Sequence, residues 1–307
     1  MGYLFLGLAL AAGLTKGFCG KKTSFAITLD SDSMIMNLLR MCLCILIGFF
    51  LMLAGGELSS LRADGTLLAI TALSGVASAA FVVSWLLSVR SGAYMMVEVF
   101  LLLGVAVPIL LCALLFGETI NLFQVIGMAI LLVAVYLMCT YNVGIKGKMT
   151  LKAFCLLLLC GLSNGLADFS QKLYVKTYPG GSIAAFNFYT YLFAAAVLLA
   201  SYFIFRRLDL RRGHTPRPPL VTLRPIFGYV VVMAVCLFAY SYFKTAAAGY
   251  LDAVMLYPLS QGCAVTLSLL MAAFLFGERI NARCIVGVAL SFVGLLLINL
   301  DLSALFS

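Results

Sequence analysis

The chain alternates long apolar stretches with short polar breaks from one end to the other. A helix needs about 20 apolar residues to cross a hydrocarbon core of about 30 Å, and the stretches are close to that length. We therefore predict an all-α membrane protein with ten transmembrane helices. The predicted segments are residues 2–18, 33–54, 66–89, 92–115, 121–140, 152–175, 182–205, 225–246, 250–276 and 282–300.

Composition supports this class, because 64% of the residues are hydrophobic and only 10% are charged. A water-soluble protein of this length does not have such a composition. A cleaved signal peptide is the alternative for the first segment. That alternative is disfavoured because Lys16, Lys21 and Lys22 follow the apolar stretch instead of preceding it.

An internal repeat divides the chain. Seven of nine positions are identical between Ala113–Asn121 and Ala273–Asn281, and Gly127 and Gly287 keep the same spacing. Apolar monotony accounts for matching Leu and Phe, but not for Gly, Glu and Asn at fixed offsets. The sequence therefore predicts two related halves, residues 1–143 and 151–307.

Each half holds five predicted helices, and because five is odd the second half enters the membrane from the opposite side. The halves are thus predicted to be inverted repeats, an arrangement typical of transporters that work by alternating access. The longest connection between predicted helices is Arg206 to Arg224, which is interpreted as a loop and not as a domain.

The basic residues are unevenly distributed over the two membrane faces. With alternating helices, and counting helix ends such as Arg40, 16 of the 20 Lys and Arg residues fall on one face. The other face receives Arg62, Lys172, Lys176 and Lys244. The positive-inside rule then predicts that both termini lie outside the cytosol. The net charge of +9 is explained by membrane topology and contact with anionic lipid, and nothing in it indicates nucleic-acid binding.

The repeated Phe-Gly-Glu-x-Ile-Asn segment resembles the EamA family of the drug/metabolite transporter superfamily. Further elements of the resemblance are Gly-Leu-Thr-Lys at 13–16, Gly-Leu-Ala-Asp at 165–168 and Met-Leu-Tyr-Pro-Leu at 255–259. The resemblance implies ten helices, two inverted repeats and a central cavity lined by the first, third and fourth helices of each repeat. It also implies cytosolic termini, opposite to the charge-based orientation, and the two alternatives stay open here.

Ionisable residues within the predicted helices are the first candidates for a substrate site, since charges inside a membrane are costly and usually face a cavity or a partner. Glu98 lies inside the fourth predicted helix, and its repeat counterpart is Pro258. The alternative for Glu98 is contact with Arg90 near the interface. Lys16 and Asp168 occupy matching positions in the two halves, where they could bind a substrate between them or extend to opposite membrane faces.

Polar and aromatic residues complete the candidates, since transport sites combine a few polar groups with aromatic walls. Pro108 and Pro258 are candidate hinges, because proline interrupts helical hydrogen bonding. Glu118 and Glu278 are expected to cap the helix that follows each of them. The remaining cavity candidates are Trp85, Asn164, Lys172, Asn187, Tyr240, Lys244, Tyr257 and Gln261, and the structural repeat motif consists of Gly117, Glu118, Asn121, Gly277, Glu278 and Asn281.

These features favour a secondary transporter that exports a small organic metabolite or drug, with possible coupling to a proton or cation through Glu98 and Asp168. No phosphate-binding loop, metal-ligand cluster or cofactor motif is present, so neither an enzyme nor a cofactor is expected. The alternatives are an integral-membrane enzyme acting on a lipid or isoprenoid, and a non-transporting sensor or assembly partner. The expected location is a bacterial cytoplasmic membrane, and the oligomeric state is open.

Overall fold

The computed structural model describes residues 1–23, 27–90, 94–139, 151–215, 218–276 and 282–299. These residues form helices and short connections without any strand, which confirms the all-α prediction for this part of the chain. The α-helices are α1 (Gly2–Thr23), α2 (Asp30–Ala54), α3 (Gly65–Arg90), α4 (Tyr94–Gly104), α5 (Ala106–Phe116), α6 (Leu122–Cys139), α7 (Leu151–Thr177), α8 (Ile183–Arg211), α9 (Pro219–Leu223), α10 (Phe227–Ala248), α11 (Ala253–Phe276) and α12 (Ala282–Ile298). Short 3₁₀ helices span Leu58–Leu61 and Arg224–Ile226.

Seven helical stretches among the described residues are long and apolar enough to cross a membrane. They lie in α1, α2, α3, α7 and α8, in the α4–α5 pair, and in the stretch from α9 through α10. Shorter apolar helices span Leu122–Leu137 and Ile285–Ile298. The chain is an integral, multi-pass membrane protein, while the count of ten crossings and the inversion of the repeats stay predictions.

The fourth predicted segment, 92–115, is not one continuous helix, because α4 and α5 are separated at Val105. Pro108 lacks an N–H group, and its ring would clash with the carbonyl of Gly104 in a regular helix. The Val105 N–H donates three residues back along the chain instead, at 3.1 Å, which tightens the turn. Pro258, by contrast, lies inside α11 without ending it. The two candidate hinges therefore differ in their effect on the backbone.

The prediction that residues 206–224 form a loop is wrong for much of the described part of this segment. Helix α8 continues six residues beyond its predicted end, to Arg211, and a second short helix covers 219–223. Basic side chains near the C-terminus of a helix interact favourably with its dipole, which explains the extension of α8. Arg212 then contacts the Asp30 carboxylate at 3.4 Å, so this segment is attached to the start of α2.

The chain divides into two compact units. The first unit comprises Met1–Val83 and Leu173–Gly249, and the second comprises Ser84–Lys172 and Tyr250–Ser307. Each unit therefore takes helices from both predicted halves. The halves 1–143 and 151–307 describe sequence duplication, and this division of the chain stays a prediction.

In the first unit α1 packs along α10, and α2 packs along α8. Glycine residues permit close approach of α2 and α3 to α8 in this unit. A methyl group at Gly75 in α3 would lie 2.5 Å from the Thr190 carbonyl oxygen of α8, and one at Gly48 in α2 would lie 3.3 Å from the Phe188 side chain. Helix packing in membranes relies on such contacts, because lipid supplies no hydrophobic driving force between helices.

In the second unit α6 packs along α12, with glycine on both sides of the contact. A methyl group at Gly127 would lie 2.7 Å from the Gly294 carbonyl oxygen, and one at Gly294 would lie 2.9 Å from that of Gly127. Gly161 of α7 lies against the backbone of α4 at Phe100 and Gly104. These helices approach to backbone contact, which a larger residue would prevent.

Candidate functional site

The first unit gathers positive charge around Tyr240. The Lys16 Nζ lies 4.9 Å from the centre of the Tyr240 ring, and the Lys244 Nζ lies 5.5 Å from it. Tyr240 and Lys244 are four residues apart on α10 and so share one helix face. Lys16 reaches the ring from α1. The Tyr240 ring also packs close to Gly13 of α1, where an added methyl group would lie 3.3 Å from the ring. Three predicted candidates are therefore brought together.

Arg40 is a further cation of the first unit, although its charge was assigned above to a helix end. That assignment is wrong, because α2 begins ten residues earlier and Arg40 is about 15 Å along its axis. The guanidinium donates to the Asn37 Oδ1 at 2.5 Å. A basic residue two turns inside the predicted segment 33–54 was the signal that could have identified it.

Asn187 supplies a polar group on α8 in the same unit. Its side chain is fully buried, and its Oδ1 accepts a hydrogen bond from Ser241 Oγ of α10 at 2.7 Å. Thr190 and Tyr191 follow on the same helix face, and both are buried. The Tyr191 hydroxyl donates to the Leu237 carbonyl at 3.3 Å. Asn187 is thus held at the α8–α10 contact, as a predicted candidate in a polar environment.

The second unit contains a different arrangement, centred on Lys172 near the end of α7. Its Nζ lies 3.1 Å from Glu118 Oε1, and the two side chains are only 3% and 8% exposed. The same ammonium group donates to the Leu251 carbonyl at 2.6 Å and lies 3.9 Å from the exposed Asp252 carboxylate. Lys172 is therefore a buried, fully engaged ion-pair partner.

Glu118 caps a different helix from the one expected. Its Oε2 accepts from the backbone N–H of Ala253, the first residue of α11, at 2.7 Å. The negative carboxylate also lies at the positive end of that helix dipole. The prediction that Glu118 caps its own following helix is therefore wrong, and its partner is 135 residues away in the chain.

Helix α6, which follows Glu118, is capped by a reciprocal pair. Asn121 Oδ1 accepts from the Phe123 N–H at 3.1 Å, and Gln124 Oε1 accepts from the Asn121 N–H at 2.8 Å. The Asn121 side chain thus acts as an N-cap toward the second residue of α6, and the Gln124 side chain returns to the N-cap backbone as in a capping box. Gly117 ends α5 in the left-handed region with φ of 66°, where a side chain would be strained. The described copy of the repeat motif therefore organises a helix junction.

Two further candidates meet where α7 and α11 pack. The hydroxyl of the fully buried Tyr257 donates to the Asp168 carbonyl oxygen at 2.6 Å. Asp168 itself is buried, and Gln261 lies one turn beyond Tyr257 with partial burial. Asn164 is partly buried on α7.

Other candidates are not brought into either group. Trp85 is exposed on α3. The backbone of Glu98 belongs to α4, but its side chain lies outside the described residues, and so do Gly277, Glu278 and Asn281.

Comparison with known proteins gives a family. Residues 151–300 match the model of the EamA-like transporter family. The second half of this chain is therefore similar to the EamA-like transporter family. A comparison with curated proteins finds no match. A solved crystal structure aligns over 100% of this chain and 99% of its own, with a TM-score of 0.80 and 15% sequence identity, which shows a shared fold alone.

The EamA-like region, residues 151–300, supplies most of the candidate side chains to both units. Within it, Asn187, Tyr240 and Lys244 belong to the first unit, whereas Asp168 and Lys172 belong to the second. Members of the EamA family are transporters.

Proposed function

We propose that this protein is a secondary transporter that exports a small organic molecule across a bacterial cytoplasmic membrane by alternating access. The observation that carries the proposal is the pair of cationic side chains inside the helices of the first unit, Lys16 and Arg40, within a chain whose second half is EamA-like. Ionisable groups at such depth are costly in a membrane and mark substrate or ion pathways.

The packing of equivalent helices supports two inverted five-helix repeats. Helix α2 packs along α8, and α6 packs along α12, so the second helices of the two predicted repeats are neighbours, and so are the fifth. The contact of Gly127 with Gly294 has a counterpart in the sequence, since a shift of 160 residues relates Gly127 to Gly287 and Ala134 to Gly294. Pairs related in this way are expected around a pseudo-twofold axis.

Energy coupling is proposed to involve Glu98 or Asp168, two acidic residues well inside predicted helices. Asp168 is buried on α7, which is consistent with a group shielded from bulk water. The measurement is substrate-dependent proton flux in proteoliposomes containing the intact protein, the Glu98→Gln variant or the Asp168→Asn variant. We expect flux to be lost in at least one variant. Unchanged flux in both variants would exclude these residues as coupling groups.

The proposed function is tested by comparing metabolites inside and outside cells with and without expression of the protein. We expect at least one compound to accumulate outside only in cells with the intact protein, and Arg40→Gln to abolish its accumulation. Lys22→Gln is the matched control, because Lys22 is exposed on α1 and the substitution removes the same charge from the first unit. Accumulation inside the cells would indicate uptake instead of export. No difference in either compartment would contradict transport.

A further inference from the structure

The exposed surface of α8 changes from apolar to basic near the end of the helix. Leu199 and Phe203 are 44% and 56% exposed, and Arg207 follows one turn later on the same stripe. Leu210 and Arg211 extend this stripe by another turn, and both are exposed. An exposed apolar stripe on a helix that crosses the membrane lies against lipid. The two arginines at its end therefore face the bilayer as well.

The position of these arginines along α8 matches the headgroup layer of a membrane. The apolar run of the helix ends at Phe205. A helix rises 1.5 Å per residue, so Arg207 lies about 3 Å and Arg211 about 9 Å beyond that phenylalanine. The headgroup region is about 5–8 Å thick on each side of the hydrocarbon core, and the long arginine side chain extends further along the helix surface. Both guanidinium groups can therefore reach lipid phosphates.

The neighbouring arginines at this helix end are already engaged within the protein. Arg206 donates to the tyrosine hydroxyl one turn before it at 2.5 Å, and Arg212 contacts the Asp30 carboxylate at 3.4 Å. Within the part of the chain that the structure describes, Arg207 and Arg211 have neither an ion pair nor a side-chain hydrogen bond. The two arginines that face lipid are therefore also the two that retain all of their hydrogen-bond donors.

The opposite face of the same helix end is fixed to the start of α2. Asp209 is buried, and its carboxylate accepts from the Ser31 N–H at 3.2 Å. Its carbonyl oxygen accepts from the His214 N–H at 3.0 Å, which closes the end of the helix. Residues four apart on a helix keep their Cβ atoms about 5–6 Å apart, so Arg207 and Arg211 form a pair of fixed spacing. A ligand then does not have to order the segment when it binds.

The choice of basic residue also distinguishes this segment from the other basic parts of the chain. Residues 206–224 contain six arginines and no lysine, whereas the basic residues within 16–22 and within 146–152 are all lysines. Either residue provides the positive charge that orients a membrane protein. Only a guanidinium group pairs with phosphate oxygens through two parallel hydrogen bonds. The arginines of this segment therefore favour a phosphate ligand over an unspecific role of their charge.

We propose that Arg207 and Arg211 bind the phosphate headgroup of an anionic membrane phospholipid, whose acyl chains lie along the exposed apolar stripe of α8. The phosphate accepts hydrogen bonds from the two guanidinium groups, and the lipid's net negative charge complements theirs. A zwitterionic phospholipid carries a positive group beside its phosphate and is the weaker ligand. This surface lies on the outside of the first unit, and the proposal does not depend on the proposed transport function.

The test measures the affinity of the purified full-length protein for its first bound lipid by native mass spectrometry. The protein in detergent is titrated with phosphatidylglycerol or with phosphatidylcholine of the same acyl chains. We expect phosphatidylglycerol to bind about tenfold more tightly, because each basic residue at a membrane surface adds to the attraction of an anionic headgroup. The double variant Arg207→Gln/Arg211→Gln should lose this preference, and Arg207→Lys/Arg211→Lys should weaken it several-fold by removing the paired hydrogen bonds.

The matched control is Lys22→Gln/Lys176→Gln, which removes two positive charges from exposed positions of the same unit and should keep the preference. Equal affinity for the two lipids, or a preference that survives in either double arginine variant, would overturn the proposal. An equal loss in the lysine control would assign the preference to net charge and not to this surface. Displacement of the lipid by inorganic phosphate at the same concentration would identify a free-phosphate site instead. The thermal unfolding of each variant shows whether it is folded.

Discussion

Two lysines within the predicted membrane helices show how differently the two units use the same side chain. Lys172 in the second unit contacts Glu118 at 3.1 Å and the Leu251 carbonyl at 2.6 Å, both within one buried junction. Lys16 in the first unit contacts the face of Tyr240, and the Lys244 ammonium group lies 5.5 Å from the centre of the same ring. A lysine with local acceptors stabilises a fold, whereas one placed beside an aromatic ring and a second cation is available to a ligand. Burial alone therefore does not identify a functional charge.

The largest expected effect comes from Lys172→Met. Removing the ammonium group leaves the buried Glu118 carboxylate without its ion-pair partner, which typically costs about 3–5 kcal/mol. The measurement is the free energy of unfolding in detergent. Adding Glu118→Met to this variant should recover much of the loss, because two apolar groups replace the pair without a buried charge.

Lys16→Met is the matched variant in the first unit. It leaves no carboxylate stranded and removes one of the two positive charges at the Tyr240 ring, so its stability should differ from that of the intact protein by less than about 1 kcal/mol. Equal losses in the free energy of unfolding for Lys172→Met and Lys16→Met would contradict the proposed difference between the two lysines. The exposed Lys176 on α7 provides a further control, since Lys176→Met is expected to have little effect.

A smaller loss is expected from Gly161→Ala, which tests whether the second unit is also fixed by backbone contact. The added methyl group would overlap the Phe100 carbonyl of α4, and relief of such overlap typically costs about 1–3 kcal/mol. Gly7→Ala is the control, because no atom lies within 4 Å of a methyl group at that position. Unfolding free energies that are the same for both variants would mean that α4 and α7 adjust freely.

The smallest effect is expected at an exposed contact of the first unit. The Tyr178 hydroxyl donates to Asp64 at 2.7 Å, and this hydrogen bond, followed by that from the Leu67 N–H, lowers the pKa of Asp64. A lowered carboxyl pKa contributes stability above the ordinary value of about 4 and loses it as the pH falls through the folded-state value. The stability difference between the intact protein and Tyr178→Phe should therefore shrink below about pH 4. Melting curves at a series of pH values would measure it, and a difference that grows in acid would contradict the assignment.

The approximate positions of the helices could be predicted from the apolar stretches, although the stretch 92–115 forms two helices, α4 and α5. The partners of polar side chains could not. Glu118 contacts Ala253 through the packing of distant segments, and apolar runs carry no information about which helices are neighbours. Arg40 was visible within the predicted segment 33–54, but counting it with the topogenic charges concealed its depth. Pro108 was recognised as a helix interruption, whereas the sequence did not indicate that Pro258 would leave its helix intact.

The short connection from Gly117 to Asn121 fixes the starts of two helices at once. Asn121 caps α6, and Glu118, three residues earlier, holds the first N–H of α11. The number of residues between Glu118 and Asn121 is therefore constrained, and composition does not reveal this constraint. An insertion or deletion of a single residue there would displace one cap or the other, so this five-residue connection should tolerate changes of sequence at Thr119 and Ile120 far better than changes of length.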